Sequence, residues 1–235
     1  MFEAEERQWW YVGMRAIALA LLEGALPPDP RRRVLDAGCG SGANLAALAR
    51  YGRAVGADVS EDALALARRR QAAAVGASVL SLPFGDTAFG LVTSFDVLYH
   101  RCVPDDAEAV RELARVLAPG GFLLVRVPAL RMLWGAHDEA VHSRHRYTRA
   151  EVEALLRGAG FAVVRATYAN FFLFPVILLR RTLDRLTGRH GSDVAFLPAP
   201  FEALFRRLLL LEAWLVRRVS LPVGASVLVL ARKRA

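Results

Sequence analysis

The sequence contains few cysteines, a single lysine and no long apolar run. Its two cysteines, Cys39 and Cys102, are too few for a framework of several disulfides or for a cysteine-rich metal centre. The apolar runs 171–179 and 208–211 are far shorter than the roughly 20 residues that span a bilayer. There is no internal repeat and no low-complexity tract. These absences exclude a small disulfide-stabilised domain, a transmembrane helix at either run and a repeat array.

The charge balance is basic, with a formal net charge of +8, and every basic residue except Lys233 is an arginine. Nucleic-acid binding is usually marked by basic clusters interleaved with aromatic side chains, and the sequence has no such cluster. The run Arg68–Arg70 ends a predicted helix, where cations offset the helix dipole. We therefore expect no nucleic-acid partner. The 235 residues suffice for one α/β core, and the acidic start Glu3–Glu6 favours a cytoplasmic protein over an exported one.

A glycine-rich turn follows the first predicted strand. Val34–Asp36 is typical of the end of a buried strand, glycines occupy positions 38, 40 and 42, and a helix-like run extends from Asn44 to Arg50. Such a turn presents backbone N–H groups to a ligand and is the usual site of a nucleotide-like cofactor in an open α/β sheet. A dinucleotide turn has the spacing Gly-x-Gly-x-x-Gly, whereas here the third glycine comes one residue earlier. A tight turn without function is the alternative for the glycines alone.

A second acidic residue supports nucleoside binding. The segment 54–60 is typical of a short apolar strand that ends near Asp58, and Ser60 is placed to cap a helix over Glu61–Arg70. An acid at the end of the second strand, about 20 residues beyond the turn, can accept hydrogen bonds from ribose hydroxyls. This arrangement serves dinucleotides and other nucleosides alike, so Asp58 alone does not identify the cofactor.

Four segments, in this order, resemble the class I S-adenosylmethionine-dependent methyltransferases. They are the glycine turn with the strand before it (34–42), the stretch around Leu-Pro-Phe (81–92), an Asp-x-Leu-x-His-like segment (96–100) and the helix, Pro-Gly-Gly turn and strand over 113–127. The resemblance implies an α/β, Rossmann-like, seven-stranded and mostly parallel sheet, with helices on both faces and an antiparallel last strand. It also implies S-adenosyl-L-methionine as the methyl donor.

The resemblance further implies which residues contact the donor. In the family the glycine turn packs against the methionyl part, and in the subgroup described below the opening helix lies over the donor. The residues carried over are Tyr11, Arg15, Asp36, Gly38, Gly40, Gly42, Asp58, Val59, Ser78, Val79 and Phe95. The sequence departs from the family at Ser78, where an aspartate commonly bonds the adenine amino group, and at Gly90 and Tyr99. The contacts to adenine are therefore less well defined than those to ribose.

Histidines beyond the predicted fourth and fifth strands are the candidate catalytic bases. Segments 6–15 and 133–148 resemble one bacterial subgroup of the family. A base is required only when the acceptor loses a proton, and histidine is the side chain whose ordinary pKa lies near neutral pH. The candidates are His100, His142, His145 and Tyr147. Their spacing lacks the frame of a zinc motif, so we expect no metal site, and capping of loops is the alternative role.

The last part of the chain departs from the common methyltransferase pattern. We expect a single domain with an N-terminal cap helix over 1–30, a cofactor-binding core over 31–170, a helical insertion over 171–223 and the last strand over 224–235. One apolar face of the insertion, at helical spacing, comprises Phe201, Leu204, Leu208, Leu211 and Leu215. Its polar side includes Glu202 and Arg206. Three interpretations stay open: a helical layer packed on the sheet, a lid over an apolar pocket, or a helix at a membrane interface.

The function predicted from these patterns is methyl transfer from S-adenosyl-L-methionine to a small hydrophobic acceptor, such as a lipid, isoprenoid or natural product. Peripheral membrane contact through residues 171–218 is a further hypothesis. Two alternatives belong to other classes. One is a nicotinamide-dependent oxidoreductase, which the glycine spacing disfavours. The other is a non-catalytic protein that binds S-adenosylmethionine and associates with a membrane.

Overall fold

The computed structural model describes residues 4–187 and 198–234, and within them seven strands form one mixed sheet. The strands are β1 (Arg33–Ala37), β2 (Arg53–Asp58), β3 (Ala74–Gly76), β4 (Phe89–Phe95), β5 (Leu117–Pro128), β6 (Phe161–Ala169) and β7 (Ser226–Lys233). Their order is β3-β2-β1-β4-β5-β7-β6. The first five strands run parallel, whereas β7 pairs antiparallel with β5 and with β6. The predicted Rossmann-like sheet with an antiparallel last strand is confirmed.

Helices connect the strands. They are α1 (Ala4–Arg7), α2 (Trp9–Glu23), α3 (Leu45–Leu48), α4 (Glu61–Arg69), α5 (Asp106–Val116), α6 (Ala136–Ala140), α7 (Arg149–Gly158), α8 (Phe174–Thr187) and α9 (Ala199–Leu215). Side-chain caps start α4, α5 and α7. The predicted cap of α4 is present, because the Ser60 hydroxyl accepts the N–H of Ala63 at 3.2 Å. Thr148 and Glu151 form a reciprocal capping box that starts α7.

Two apolar cores lie on the two faces of the sheet. On one face, α5 and α7 bury residues such as Leu113 and Leu156 against the strands. On the other face, α2 and α9 do the same, with Ile17 and Leu209 in the core. Helices α2 and α9 approach closely, since a Cβ at Gly13 would lie 2.3 Å from a methyl carbon of Leu209. Helix α9 of the predicted insertion therefore forms one covering layer with α2, whereas residues 188–197 of that insertion lie outside the described residues.

One predicted helix is shorter than expected. The run Asn44–Arg50 forms only the four-residue α3, and a 3₁₀ turn over Ala49–Tyr51 follows. The chain must then reverse to enter β2, which it does at Gly52 with φ +154°. A Cβ there would lie 2.2 Å from the carbonyl oxygen of Arg32, so the tight entry into β2 ends the helix early.

The predicted apolar face of α9 is not the buried one. Phe201, Leu204 and Leu211 are about half exposed, whereas Glu212 is fully buried. The Glu212 carboxylate accepts the N–H groups of Asn170 at 2.8 Å and Phe172 at 3.0 Å. These buried backbone donors need an acceptor, and so α9 turns an acidic residue inward and leaves leucines outside.

The outer surface of α8 is also apolar. Val176, Leu179, Leu183 and Leu186 lie along one side of α8, and their exposed fractions are 57%, 61%, 49% and 78%. Neither α8 nor any other helix in the described ranges has the length and hydropathy to cross a membrane. The exposed leucines are thus a surface feature of short helices.

Candidate functional site

The glycine turn lies at the carboxyl edge of the sheet, between β1 and α3. Gly38, Gly40 and Gly42 have φ values of +84°, +53° and +76°, a region that favours glycine. The N–H of Gly38 donates to the carbonyl of Ala57 at 2.7 Å. The N–H of Gly40 donates to Oδ2 of Asp58, also at 2.7 Å. The acidic residue that ends β2 is therefore in direct contact with the turn, as a shared nucleoside site requires.

Asp36 lies beneath the turn and has no solvent exposure. Burial raises its pKa to about 7, although the hydrogen bond from Thr93 and the charge of Arg126 oppose the shift. The Thr93 hydroxyl donates to Oδ1 at 2.6 Å, while Oδ2 has no hydrogen-bond partner. Only one of the two oxygens is hydrogen-bonded, so a positive charge above the turn would favour the ionised form of this carboxyl group.

The N-terminal helices cover the turn from above. The Glu5 carboxylate of α1 contacts the Ser41 hydroxyl and bonds Nη1 of Arg70 at 2.9 Å. Arg15 of α2 donates to the Glu5 carbonyl at 2.9 Å and to Oδ1 of Asn44 at 3.3 Å. These bonds join the first two helices to the loop that begins α3, so the covering layer forms one wall of the site.

A cavity of about 640 Å³ extends from the glycine turn to the helical insertion. This volume lies within the range of about 300–1,000 Å³ that is usual for small-molecule sites. Near the turn, its wall includes Gly38, Gly40 and Tyr11. The far part is walled by the apolar side chains Trp9, Trp10, Leu173, Val176, Ile177 and Phe205. One continuous space therefore joins a nucleoside-type turn to an apolar chamber.

An ion pair lies between the two parts of the cavity. Asp96 directly follows β4, and Oδ2 of its carboxylate accepts Nε and Nη2 of Arg126 at 2.9 and 2.5 Å. The guanidinium of Arg126 also lies over the rings of Trp10 and Phe95, with ring centroids at 5.3 and 5.1 Å. Both partners line the cavity, so a charged group is held where the two parts meet.

A second, buried ion cluster supports the acceptor side. Asp138 is 1% exposed, and its two oxygens accept Nε and Nη2 of Arg146 at 2.7 and 3.1 Å. Nη1 of Arg181, from α8, approaches the same carboxylate at 3.8 Å. The cluster thereby ties the helical insertion to the loop after β5.

The predicted donor-binding residues are only partly gathered around this cavity. Five of them line it, namely Tyr11, Arg15, Gly38, Gly40 and Phe95. Asp36 is buried below the turn, and Asp58 bonds the turn from the side. The others lie outside the cavity wall: Gly42 within the turn, Val59 60% exposed beyond β2, Ser78 bonded to the N–H of Leu80, and Val79 buried.

The predicted bases lie outside the cavity wall. His100 and His142 face each other, with ring centroids 6.0 Å apart, and burial with the charge of His142 lowers the pKa of His100. His145 packs on Tyr147 at 4.5 Å and approaches Glu151 at 3.4 Å. The Tyr147 hydroxyl donates to Asp106 at 2.7 Å, and burial together with this bond raises its pKa. Within the described ranges, no cluster of three or more His, Cys, Asp or Glu side chains could hold a metal.

Sequence reasoning missed Asp96, Arg126 and His137 as cavity residues. Two signals could have found the first two. Asp96 opens the segment that follows β4, and such strand ends form the binding edge of an α/β sheet. Arg126 interrupts the apolar strand 122–127, and a charge in a buried strand needs a partner. His137 belongs to the histidine-rich segment that sequence reasoning treated as a source of bases, but its place in the cavity wall depends on the fold of α6.

Comparison with known proteins identifies relatives of this arrangement. Residues 35–125 match the family described as "Methyltransferase domain". The chain is 37% identical over 150 residues to a malonyl-[acyl-carrier protein] O-methyltransferase of Enterobacter lignolyticus, covering 58% of this chain and 57% of that one. It is 34% identical over 201 residues to a demethylmenaquinone methyltransferase of Clavibacter sepedonicus, covering 72% and 79%. The chain thus spans little more than half the length of the first of these relatives.

A solved structure shares the fold over nearly the whole chain. An S-adenosylmethionine-dependent methyltransferase from Mesorhizobium loti superposes with a TM-score of 0.61 at 21% identity, covering 92% of this chain and 98% of that one. The match covers nearly the full length of both chains. This likeness shows the fold and no more, because the identity is only 21%.

Proposed function

Because the chain belongs to the class I S-adenosylmethionine-dependent methyltransferases, we propose that it methylates a small acceptor with an apolar body. The observation that carries this proposal is the single cavity that joins the glycine turn to a chamber walled by Trp9, Trp10 and Phe205. The relatives named above are reported to act on different acceptors, so their names do not select one. The family assignment replaces the nicotinamide oxidoreductase alternative.

The residues around the turn fit the donor, S-adenosylmethionine. We infer that Gly38 and Gly40 pack on its methionyl part, that Asp58 binds the ribose and that Tyr11 and Arg15 cover it. The unsatisfied Oδ2 of Asp36 beneath the turn suits a cationic ligand above. When bound, the donor supplies an activated methyl group on a positively charged sulfur. The chain then has to align the acceptor and exclude water, which can contribute much of the rate.

We further propose that the segments of the chain divide these tasks. Residues 1–30 cover the donor, 31–170 bind it, 171–223 shape the acceptor chamber, and 224–235 complete the sheet. This division is supported by the contacts of Glu5 with the turn and by the chamber residues on α8 and α9. It describes one domain in which the insertion determines acceptor choice.

Incubation with methyl-labelled donor tests the acceptor class. The purified chain is mixed with S-adenosylmethionine, tritiated in its methyl group, and separately with lipid extract, RNA or protein. We expect label in the organic phase of the lipid reaction. Phe205→Glu, which places a charge in the chamber, should reduce that label at least about tenfold because burial of an unpaired charge is unfavourable. Label only in RNA or protein would overturn the proposal.

We expect donor affinity to rise with pH through about 7. At lower pH the Asp36 carboxyl is neutral, since burial and the nearby Asp58 charge raise its pKa to about 7. A cationic donor favours the ionised form, so binding releases a proton and strengthens as pH rises, by at most about tenfold per pH unit. Calorimetry at pH 6 and pH 8 should show this gain, with Asp36→Asn less pH-dependent. Ionisation of the donor itself affects both proteins equally, and parallel curves would contradict the expectation.

We also propose that the outer faces of α8 and α9 contact an anionic lipid bilayer. Leu179, Leu183 and Trp214 are about half exposed or more. Exposed arginines of α9, Arg206 and Arg207, accompany them, while both carboxylates of α9 point inward to backbone N–H groups. Apolar side chains with a surplus of surface arginine complement acidic headgroups, at about 1 kcal/mol per basic residue. The acceptor chamber includes Val176 beside this surface.

Vesicle sedimentation tests the membrane contact. The chain should sediment with vesicles that contain phosphatidylglycerol and much less with pure phosphatidylcholine. Leu179→Glu with Leu183→Glu should weaken binding at least about tenfold, whereas Val164→Glu, at a 50% exposed position on β6, should not. If the double variant instead abolishes a concentration-dependent dimer and the wild type ignores vesicles, the face is an interface between copies and the proposal fails.

A further inference from the structure

We propose that Asp96 is the catalytic base of the transfer and that Arg126 positions it. The inference rests on the proposed function, because it assigns a proton acceptor to the same cavity. It replaces the histidine and tyrosine candidates, whose side chains lie outside the cavity wall. Four observations carry it: the place of Asp96 in the sheet, its backbone conformation, the geometry of its ion pair, and the state of its competitors.

Asp96 lies at the junction of the donor and acceptor parts of the cavity. It follows β4, which neighbours β1, and its N–H donates to the Arg126 carbonyl at 2.9 Å. The next residue, Val97, packs directly on the glycine turn, since a Cβ at Gly38 would lie 2.1 Å from its Cγ2. The carboxylate is thus one residue away from a contact with the donor turn, and it also lines the chamber.

The backbone of Asp96 is in an uncommon conformation. Its φ is +58°, a left-handed value that few non-glycine residues adopt. Such conformations persist where the surroundings enforce them, and they concentrate at functional sites. Here the neighbouring strand end enforces it through the bond to the Arg126 carbonyl. The result is a carboxylate that points into the cavity.

Arg126 hydrogen-bonds only one oxygen, Oδ2, of the Asp96 carboxylate and leaves Oδ1 without a bond from the guanidinium. Both of its donors reach Oδ2, at 2.9 and 2.5 Å, and no described residue donates a hydrogen bond to Oδ1. The guanidinium lies over the rings of Trp10 and Phe95, and Arg126 as a residue is 8% exposed. Oδ1 is therefore available to an acceptor while the carboxylate is held in one orientation.

The other ionisable groups on the acceptor side of the cavity are less suited to act as the base. Asp138 is buried, and both its oxygens are bonded to Arg146. Burial raises the pKa of the Tyr99 phenol, so it holds its proton near neutral pH. His137 lines the chamber on α6 and is the one competitor that the experiment must separate.

The proposed step needs no oxidant, reductant or further reactant. Oδ1 of Asp96 takes the proton from an O–H or N–H of the acceptor. The acceptor's heteroatom uses its electron pair to bond the methyl carbon, and the electron pair of the broken carbon–sulfur bond stays on sulfur. Asp96 later gives its proton to water. Arg126 holds the carboxylate in place throughout.

Donor and product binding provide the first test, which needs no acceptor. Calorimetry compares S-adenosylmethionine with S-adenosylhomocysteine, which lacks the positive charge on sulfur. A carboxylate beside that charge favours the donor, so Asp96→Asn should weaken donor binding about 3- to 10-fold and change product binding less than about twofold. An unchanged ratio of the two dissociation constants would overturn the placement of Asp96, whereas failure of both ligands to bind the wild type would overturn the proposed function.

Label transfer to the lipid extract provides the second test. Asp96→Asn should lower kcat about 100-fold or more, and Asp96→Glu should recover part of it because a carboxylate remains. Arg126→Lys should lower kcat with little change in KM for the donor, as expected of a positioning residue. His137→Gln separates the competing base, and Asp62→Asn, the same change at an exposed position on α4, is the matched control that should keep turnover. If His137→Gln loses turnover and Asp96→Asn keeps it, the assignment of the base is wrong.

Discussion

Gly38→Ala should weaken binding of S-adenosylmethionine by about 100-fold or more. The added Cβ would lie 2.1 Å from Cγ2 of Val97, far inside van der Waals contact. The residue also has φ +84°, a conformation that costs alanine about 1 kcal/mol or more. The turn and the segment after β4 would have to separate, and this moves both Asp96 and the turn's N–H groups. Calorimetric titration with the donor measures the loss.

A glycine of the same chain without these constraints serves as the control. Gly85 has open space around its Cβ position, so Gly85→Ala should bind the donor as the wild type does. Circular dichroism and thermal unfolding must show that Gly38→Ala keeps its sheet. A folded Gly38→Ala protein with donor affinity within about threefold of the wild type would refute the assignment of the turn, because a tenfold change corresponds to only about 1.4 kcal/mol.

Asp138→Asn should lower the free energy of unfolding by about 3–5 kcal/mol. The carboxylate is buried and bonds Arg146 through two atoms, and Arg181 lies 3.8 Å away. An asparagine keeps the shape but removes the charge, so the buried Arg146 loses its carboxylate partner. Urea denaturation measures the change. Because the cluster joins α8 to the loop after β5, the chamber should loosen as well.

Asp184→Asn is the matched control for this prediction. Asp184 pairs with Arg180 one turn away on α8, at 3.8 Å, and this pair is more exposed. Such surface pairs contribute about 0.5 kcal/mol or less. Equal and small losses for the two variants would mean that the buried cluster adds nothing to stability. A loss confined to Asp138→Asn would support its role in holding the insertion.

The fold and the donor side were predictable because their signals are local. The glycine turn, Asp58 and the cap at Ser60 each depend on a few consecutive residues and on the ends of adjacent parallel strands. The mostly parallel seven-stranded sheet with an antiparallel last strand followed from the family resemblance, and the structure confirms it. The adenine region was less clear already in the sequence, at Ser78, and that residue lies outside the cavity wall.

The acceptor side could not be predicted because its contacts are distant in sequence. Asp96 and Arg126 are 30 residues apart, and they meet only because β4 and β5 end side by side. The sequence suggested bases at His142 and His145 because they are histidines, but the loop packs those rings on other side chains. Helical periodicity misjudged the buried face of α9, because Phe201, Leu204 and Leu211 stay about half exposed. Glu212 is held inside by the backbone N–H groups of Asn170 and Phe172, which are distant in sequence.

The position of β7 has a consequence for how the chain folds. Although β7 is the last strand in sequence, it lies inside the sheet between β5 and β6. Until residues 226–233 emerge from the ribosome, these two strands each present an unpaired edge, which is a template for aggregation. A one-residue slip of β7 would also exchange its two faces between the cores. Closure of the sheet is therefore a long-range event that waits for residues 226–233, and the nascent chain depends on it to hide both edges at once.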